Sequence, residues 1–307
     1  MSKIAFIFPG QGAQYIGMGK DIADKYKRAG DIFDEASEAL GYDIKKMIFE
    51  SNDDELKITE NTQPAILATS IACMQPLLEK GIKADITAGL SIGEYTAHVL
   101  AGTFSFRNAV QLVRKRGRYM QEAVPVGVGT MAAIIGLDND NVINSCKEAS
   151  SAGIVEPANY NCPGQIVIAG EIKAVEKAVE ICKEKGAKKA VILQVSAPFH
   201  CSMLKPAGEK LAAELEKVEI NNIDIPVVTN VTAKCVTNND IVKDLLIKQV
   251  SSPVLWEDSV KTMIDYGVDT FIEIGPGKAL TGFIKRINKD VNIFNVDNID
   301  SLESISI

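Results

Sequence analysis

Histidine is the scarcest of the chemically versatile residues in this chain. Its 307 residues include two histidines, His98 and His200, so any chemistry that needs an imidazole has only two candidates. Positive charge is also in short supply, because 33 Lys and Arg face 40 Asp and Glu, which gives a net charge of −7. Nucleic-acid-binding domains are usually basic, so we expect no nucleic-acid partner.

Two further absences restrict the class of protein. No apolar run approaches the ~18 residues that span a bilayer, and the apolar stretch at residues 4–8, directly after Lys3, is too short for a signal peptide. We therefore expect a cytoplasmic protein that does not bind membranes.

The six cysteines form no C-x-x-C pair, so we expect neither a metal site nor a disulfide framework. Nothing in the sequence requires more than a monomer.

The chain instead contains short apolar segments that run into glycine-rich turns. Such segments occupy residues 4–8, 82–88 and 270–274, and the last two lead into helical patterns. Residues 293–296 have the pattern of a last strand. Strands that alternate with helices predict an α/β fold with a mostly parallel sheet, whose functional groups lie at the carboxyl ends of the strands.

The pattern changes between Pro125 and Pro198. Strands are predicted at residues 130–136, 155–160, 165–169 and 189–195, and helices at residues 139–150 and 171–185. This β-α-β-β-α-β order is typical of a ferredoxin-like unit. We therefore predict a small ferredoxin-like subdomain at residues 126–197, inserted into a larger subdomain that residues 1–125 and 198–307 form.

Residues 89–93 match the motif G-x-S-x-G between a predicted strand and a predicted helix. This is the nucleophile turn of α/β-hydrolases, and the two glycines allow its tight backbone. The turn places the Ser91 hydroxyl at a helix N-terminus, where free N–H groups favour negative charge. We therefore predict an α/β-hydrolase-like large subdomain with Ser91 as its nucleophile.

A serine nucleophile needs a base. His98 lies seven residues after Ser91, about 10 Å along the predicted helix, which is too far for a hydrogen bond. His200, in the loop that leaves the small subdomain, remains as the general base. The only aspartates between Ser91 and His200 are Asp138 and Asp140, in a predicted turn. The sequence thus favours a Ser–His dyad whose imidazole is oriented by a group other than a carboxylate.

Arg116 lies in the middle of the apolar stripe of a helix predicted at residues 108–124, whereas Arg114 and Arg118 point about 160° away. A buried guanidinium requires an anionic partner. That partner is either a structural Asp or Glu or the carboxylate of a substrate, which the planar guanidinium binds well.

The loop at residues 10–12, Gly-Gln-Gly, follows the first strand. Neither phosphate-binding pattern, G-x-G-x-x-G or G-x-x-x-x-G-K-[ST], is present there. The loop is better suited to delivering a backbone N–H to an oxyanion.

A series of motifs follows in order along nearly the whole chain. These are FPGQGAQ at 8–14, NTQPA at 61–65, GLSIGE at 89–94, RG at 116–117, MQ at 120–121, NYNCPGQ at 159–165, PFH at 198–200, Gln249 before PV at 253–254, and EIGPG at 273–277. Together they resemble the malonyl-CoA:acyl carrier protein transacylase family of bacterial fatty-acid synthesis.

The resemblance implies a ping-pong acyl transfer with no cofactor, since malonyl-CoA is a substrate. Ser91 would attack the thioester with His200 as general base, and the resulting malonyl-serine would pass its acyl group to the phosphopantetheine thiol of acyl carrier protein.

The resemblance also assigns roles to four other residues. The backbone N–H groups of Gln11 and Ile92 would form the oxyanion hole. Arg116 would bind the malonyl carboxylate, and the main-chain carbonyl of Gln249 would orient the catalytic histidine.

Two residues beside the catalytic pair bear on the acyl group. Leu90 stands where the family commonly has histidine, so any polar contact of that histidine is absent. Phe199 resembles the malonyl-selective version of related polyketide domains. The alternatives are a trans-acting malonyl acyltransferase of a polyketide synthase, a serine esterase or thioesterase, and a non-catalytic module that binds carrier protein.

Overall fold

The computed structural model describes residues 2–306. Within that range the strands are β1 (Lys3–Phe8), β2 (Ile86–Gly89), β3 (Gly129–Ile135), β4 (Val155–Cys162), β5 (Gln165–Glu171), β6 (Lys189–Leu193), β7 (Val227–Val228), β8 (Cys235–Val236), β9 (Val268–Ile274) and β10 (Asn292–Val296). The α-helices are α1 (Lys20–Lys25), α2 (Lys27–Leu40), α3 (Ile44–Glu50), α4 (Asp53–Lys57), α5 (Thr59–Glu79), α6 (Ile92–Leu100), α7 (Phe106–Ala123), α8 (Asn139–Ala149), α9 (Ile172–Glu184), α10 (Lys205–Leu215), α11 (Val242–Gln249), α12 (Trp256–Asp265), α13 (Ala279–Ile287) and α14 (Ile299–Glu303). None of these helices combines the length and apolar character needed to cross a membrane.

The larger sheet has the order β10-β9-β1-β2-β7-β8 and is parallel except for the β7–β8 pair. Its central strand β1 is apolar on both faces. Phe6 and Phe8 pack into one hydrophobic cluster, whereas Ala5 and Ile7 pack into another. Because side chains alternate along a strand, the two clusters lie on opposite faces of the sheet, as in a parallel sheet covered by helices on both sides.

The second sheet is separate and antiparallel, with the order β4-β5-β3-β6. Helices α8 and α9 pack together against it, and their apolar side chains share a cluster with Ile134, Ile166 and Ile168. Along the chain the elements run β-α-β-β-α-β, as the sequence predicts. A mixed α/β fold with a parallel sheet and a separate antiparallel sheet is therefore confirmed.

The predicted strand at residues 82–88 is wrong at its beginning, since β2 starts at Ile86. The preceding residues complete the end of α5. The N–H groups of Gly81 and Ile82 donate to the carbonyls of Leu78 and Leu77, and Gly81 has a φ of 79°. This left-handed helix cap takes up the residues that an apolar pattern alone would add to the strand.

Candidate active site

Ser91 sits in a strained turn between β2 and α6, with φ 55° and ψ −108°. This region of φ is uncommon for a residue with a side chain and is found where surrounding structure enforces it. A Cβ at Gly89 would overlap the backbone of Gly93, and a Cβ at Gly93 would overlap the carbonyl of Phe8. Both glycines of the motif are therefore needed for helix α6 to pack this closely on the strands.

Asn230 holds this turn from outside the motif. Its Oδ1 accepts a hydrogen bond from the backbone N–H of Ser91 at 2.7 Å, and its Nδ2 donates to the carbonyl of Gly89 at 2.7 Å. Sequence reasoning missed this residue. The available signal was its position two residues after β7, which is parallel to β2, so that the carboxyl ends of both strands lie at the same edge of the sheet.

His200 approaches Ser91 from the loop after β6. Its Nε2 lies 2.7 Å from Ser91 Oγ, and its Nδ1 lies 2.9 Å from the main-chain oxygen of Gln249. A carbonyl can only accept, so Nδ1 carries the proton and Nε2 is free to accept the serine proton. Burial, and then the charge of Arg116, lower the pKa of His200 to about 4. The imidazole is therefore neutral near pH 7, as a general base must be.

The other histidine is placed differently. His98 is fully buried on α6, where its Nδ1 lies 3.2 Å from Thr103 Oγ1 and its ring packs edge-on against Phe104. Burial lowers its pKa to about 3. These contacts are those of a neutral packing residue.

Arg116 is 1% exposed and lies beneath the serine. Its guanidinium donates to Gln63 Oε1 at 2.9 Å, to Gln249 Oε1 at 2.9 Å and to Ser91 Oγ at 3.2 Å. The helical phase of α7 predicts this burial correctly. Of the two partners that the sequence left open, a structural carboxylate in direct contact is not found, since no ion pair among residues 2–306 includes Arg116.

Gln249, the last residue of α11, forms hydrogen bonds with four residues of the site. Its main-chain oxygen accepts from His200, as noted above, and its Oε1 accepts from Arg116. Its Nε2 donates to the carbonyl of Ser91 at 3.0 Å and to Glu94 Oε2 at 2.8 Å. The resemblance gave a role only to the main chain of this residue. The side-chain contacts, together with Gln63 and Glu94, come from the structure.

Two backbone N–H groups near Ser91, those of Gln11 and Ile92, lack a hydrogen-bond partner in the described residues. Ile92 begins α6, where the first N–H groups have no partner within the helix. Gln11 follows β1 and lines the same cavity as Ser91 and His200. No hydrogen bond within residues 2–306 uses the N–H of either Gln11 or Ile92, so both are available to a ligand.

A cavity of about 580 Å³ opens above the serine. The larger sheet contributes the loop after β1, and the small sheet contributes Met131, Val167 and Leu193. Leu90 and Phe199 also line it, which makes the wall beside Ser91 apolar. The cavity therefore has room for an extended chain that ends at Ser91.

Comparison with known proteins places the chain in a family. Residues 5–305 match the family model described as acyl transferase domain. The malonyl CoA-acyl carrier protein transacylase of Bacillus subtilis is 49% identical over 304 residues, which cover 99% of this chain and 96% of that protein. The enzyme of the same name from Escherichia coli is 49% identical over 288 residues, or 94% of this chain and 93% of its own length.

Solved structures agree with this assignment. A malonyl CoA-acyl carrier protein transacylase from Clostridium perfringens has a TM-score of 0.96 and 49% identity, covering 98% of this chain and 95% of its own. A malonyl-transacylase in complex with a type II polyketide acyl-carrier protein has a TM-score of 0.96 and 44% identity, covering 99% and 98%. The chain therefore belongs to the acyl transferase domain family and, within it, to the malonyl CoA-acyl carrier protein transacylases.

Proposed function

We propose that this protein transfers the malonyl group from malonyl-CoA to the phosphopantetheine thiol of acyl carrier protein, for fatty-acid synthesis, through a malonyl ester of Ser91. The contact that carries this proposal is the one between Arg116 and Ser91 Oγ, at 3.2 Å. A malonyl group on that oxygen ends in a carboxylate two carbons beyond the ester carbonyl. The guanidinium, held by amide oxygens, can therefore bind it in a forked, charge-assisted contact.

The first half-reaction uses the dyad. Ser91 Oγ attacks the thioester carbonyl while its proton moves to His200 Nε2, and the backbone N–H groups of Gln11 and Ile92 stabilise the oxyanion. The C–S bond then breaks, and the imidazolium returns the proton to the sulfur of CoA.

The second half-reaction runs the same chemistry with a new thiol. The phosphopantetheine thiol gives its proton to His200 and attacks the ester carbonyl, and Ser91 leaves with that proton. Throughout, the neutral carbonyl of Gln249 orients the imidazole in place of a carboxylate. Such an orienter stabilises imidazolium less than an aspartate would, which favours acceptance by a thiol over activation of water.

The two sheets suggest how the cavity is assembled. We infer an α/β-hydrolase-like large subdomain at residues 1–125 and 198–307 and a ferredoxin-like small subdomain at residues 126–197. The β-α-β-β-α-β order and the antiparallel order β4-β5-β3-β6 support the latter. The cavity between them would hold the pantetheine arm. Transfer needs one chain only, so we expect a monomer.

Intact-protein mass spectrometry after mixing with malonyl-CoA tests the proposal. The wild-type protein should gain one malonyl group that persists until holo acyl carrier protein is added, whereas Ser91→Ala should gain none. Ser105→Ala, which removes the serine that caps α7, is the matched control and should be acylated. A malonyl adduct on Ser91→Ala would place the nucleophile elsewhere, and release of the wild-type adduct by water alone would favour an esterase or thioesterase.

A polyketide carrier protein is the second candidate acceptor. This possibility is raised by the 44% identical malonyl-transacylase, whose solved structure contains a type II polyketide acyl-carrier protein. Malonyl transfer from the acylated protein to fatty-acid and to polyketide carrier proteins, measured side by side, separates the two. A clear preference for the polyketide carrier would overturn the assignment to fatty-acid synthesis.

A further inference from the structure

Glu94 is a fully buried carboxylate that the transfer steps above do not use. It lies in the first turn of α6. Its Oε2 accepts hydrogen bonds from the backbone N–H of Asn230 at 2.9 Å and from Gln249 Nε2 at 2.8 Å, whereas its Oε1 has no partner within residues 2–306. The oxygen of the same Gln249 amide accepts from Arg116 at 2.9 Å. A single amide group therefore bridges a buried carboxylate and a buried guanidinium.

The entry of a malonyl group changes the charge balance around Glu94 and Arg116. Ionised Glu94 and Arg116 together have no net charge. A malonyl carboxylate beside Arg116 adds a negative charge, and an uncompensated charge in a buried site is strongly unfavourable. Addition of one proton to Glu94 restores neutrality, and the two donors to its Oε2 can still bond to a protonated carboxyl group.

We propose that Glu94 binds a proton when the malonyl carboxylate enters beside Arg116 and releases it when the acyl group leaves. The proton is exchanged with the buffer, and no substrate bond changes. Glu94 is thereby a specificity-determining residue, because an acyl group without a carboxylate requires no such proton. This inference rests on the proposed function, since it requires a malonyl group on Ser91.

Among the groups that surround it, Glu94 is the one whose protonation changes near neutral pH. Burial raises its pKa to about 7, against the opposing effects of its two hydrogen bonds and of Arg116. From α7 it faces Arg116, a permanent cation. On α6 its neighbours are Tyr95, whose pKa burial raises to about 12, and His98, which is neutral. From α11 and the loop after β7 it faces the neutral amides of Gln249 and Asn230.

The test is the pH dependence of acyl selectivity. The kcat/KM for acylation of Ser91 is measured with malonyl-CoA and with acetyl-CoA from about pH 6 to 9. The malonyl-to-acetyl ratio should fall as pH rises through the titration of Glu94, by about tenfold for each unit by which the malonyl group raises its pKa. His200 acts in both reactions, so its titration cancels from the ratio.

Glu94→Gln tests the carboxylate directly, because its amide oxygen can accept the same two hydrogen bonds without titrating. Its ratio should be independent of pH. Glu38→Gln, which removes an exposed carboxylate paired with Arg107, should retain the wild-type dependence. A flat ratio in the wild type, or a falling ratio in Glu94→Gln, overturns the proposal.

Proton uptake by the wild type gives a second measurement that does not depend on any variant folding. At about pH 8, where Glu94 is mostly ionised, acylation by malonyl-CoA should take up a fraction of a proton more than acylation by acetyl-CoA, as reported by a pH indicator. Equal uptake contradicts the role of Glu94. If no malonyl-Ser91 forms at any pH, the proposed function itself is wrong.

Discussion

Arg116→Ala is the substitution that bears most directly on how the site selects its acyl group. It removes the guanidinium that we propose binds the malonyl carboxylate. Truncating one partner of a buried, hydrogen-bonded charge pair costs about 2–5 kcal/mol, which corresponds to a fall in kcat/KM for malonyl-CoA of about 30- to 5,000-fold. Acetyl-CoA lacks the carboxylate, so acetyl transfer should be spared or increased.

The variant also affects the folded state. Without Arg116, the buried oxygens of Gln63 and Gln249 lose their donor, and Glu94 loses the charge that balances it. The free energy of unfolding should therefore fall by about 3–5 kcal/mol. Any loss of folded protein lowers both acyl transfers alike, so the malonyl-to-acetyl ratio, measured on one sample, isolates the effect on binding.

The assay is acylation of Ser91 by each CoA ester, followed by intact mass. Arg118→Ala is the matched control, because it removes an exposed arginine on the same helix, whose partner is Glu122. It should leave the ratio unchanged. An equal loss of malonyl and acetyl transfer in Arg116→Ala would refute the reasoning and make this arginine a structural residue.

Three smaller predictions concern the groups around the serine. Asn230→Ala should lower the free energy of unfolding by about 2–6 kcal/mol, because it leaves two buried backbone groups unpaired; an unchanged urea midpoint would contradict this. Acetylation of Ser91 should stay nearly constant down to about pH 5, since the pKa of His200 is about 4, and a fall centred near pH 6.5 would contradict it. His98 has a pKa of about 3 in the folded protein. Between about pH 6.5 and 3, this histidine is therefore protonated only in the unfolded chain, and the stability of the protein falls as the pH is lowered. His98→Leu should reduce the stability difference between pH 7 and 5 by about 2 kcal/mol in urea unfolding, and an unaltered difference would count against it.

The sequence by itself predicts those features that depend on local periodicity or on scarcity. The burial of Arg116 can be predicted because an α-helix has 3.6 residues per turn, so the residues on the apolar face of α7 can be counted along the chain. With two histidines available and one of them too far along its helix, His200 was the remaining partner for Ser91, and the structure brings them to 2.7 Å. The need for glycine at 89 and 93 can also be predicted, because a Cβ at either position would overlap neighbouring backbone atoms.

Contacts between distant segments depend on the tertiary structure. Asn230 meets Ser91 across 139 residues of sequence, and the side chain of Gln249 meets Glu94 across 155. No local pattern marks these partners, because β7 has only two residues and a buried amide or carboxylate has no periodicity of its own. The packing of β2 against β7, and of α11 behind the serine turn, decides which groups meet. The sequence therefore predicted the pairing of Ser91 with His200 and the burial of Arg116, whereas the fold decided which neutral and charged groups surround them.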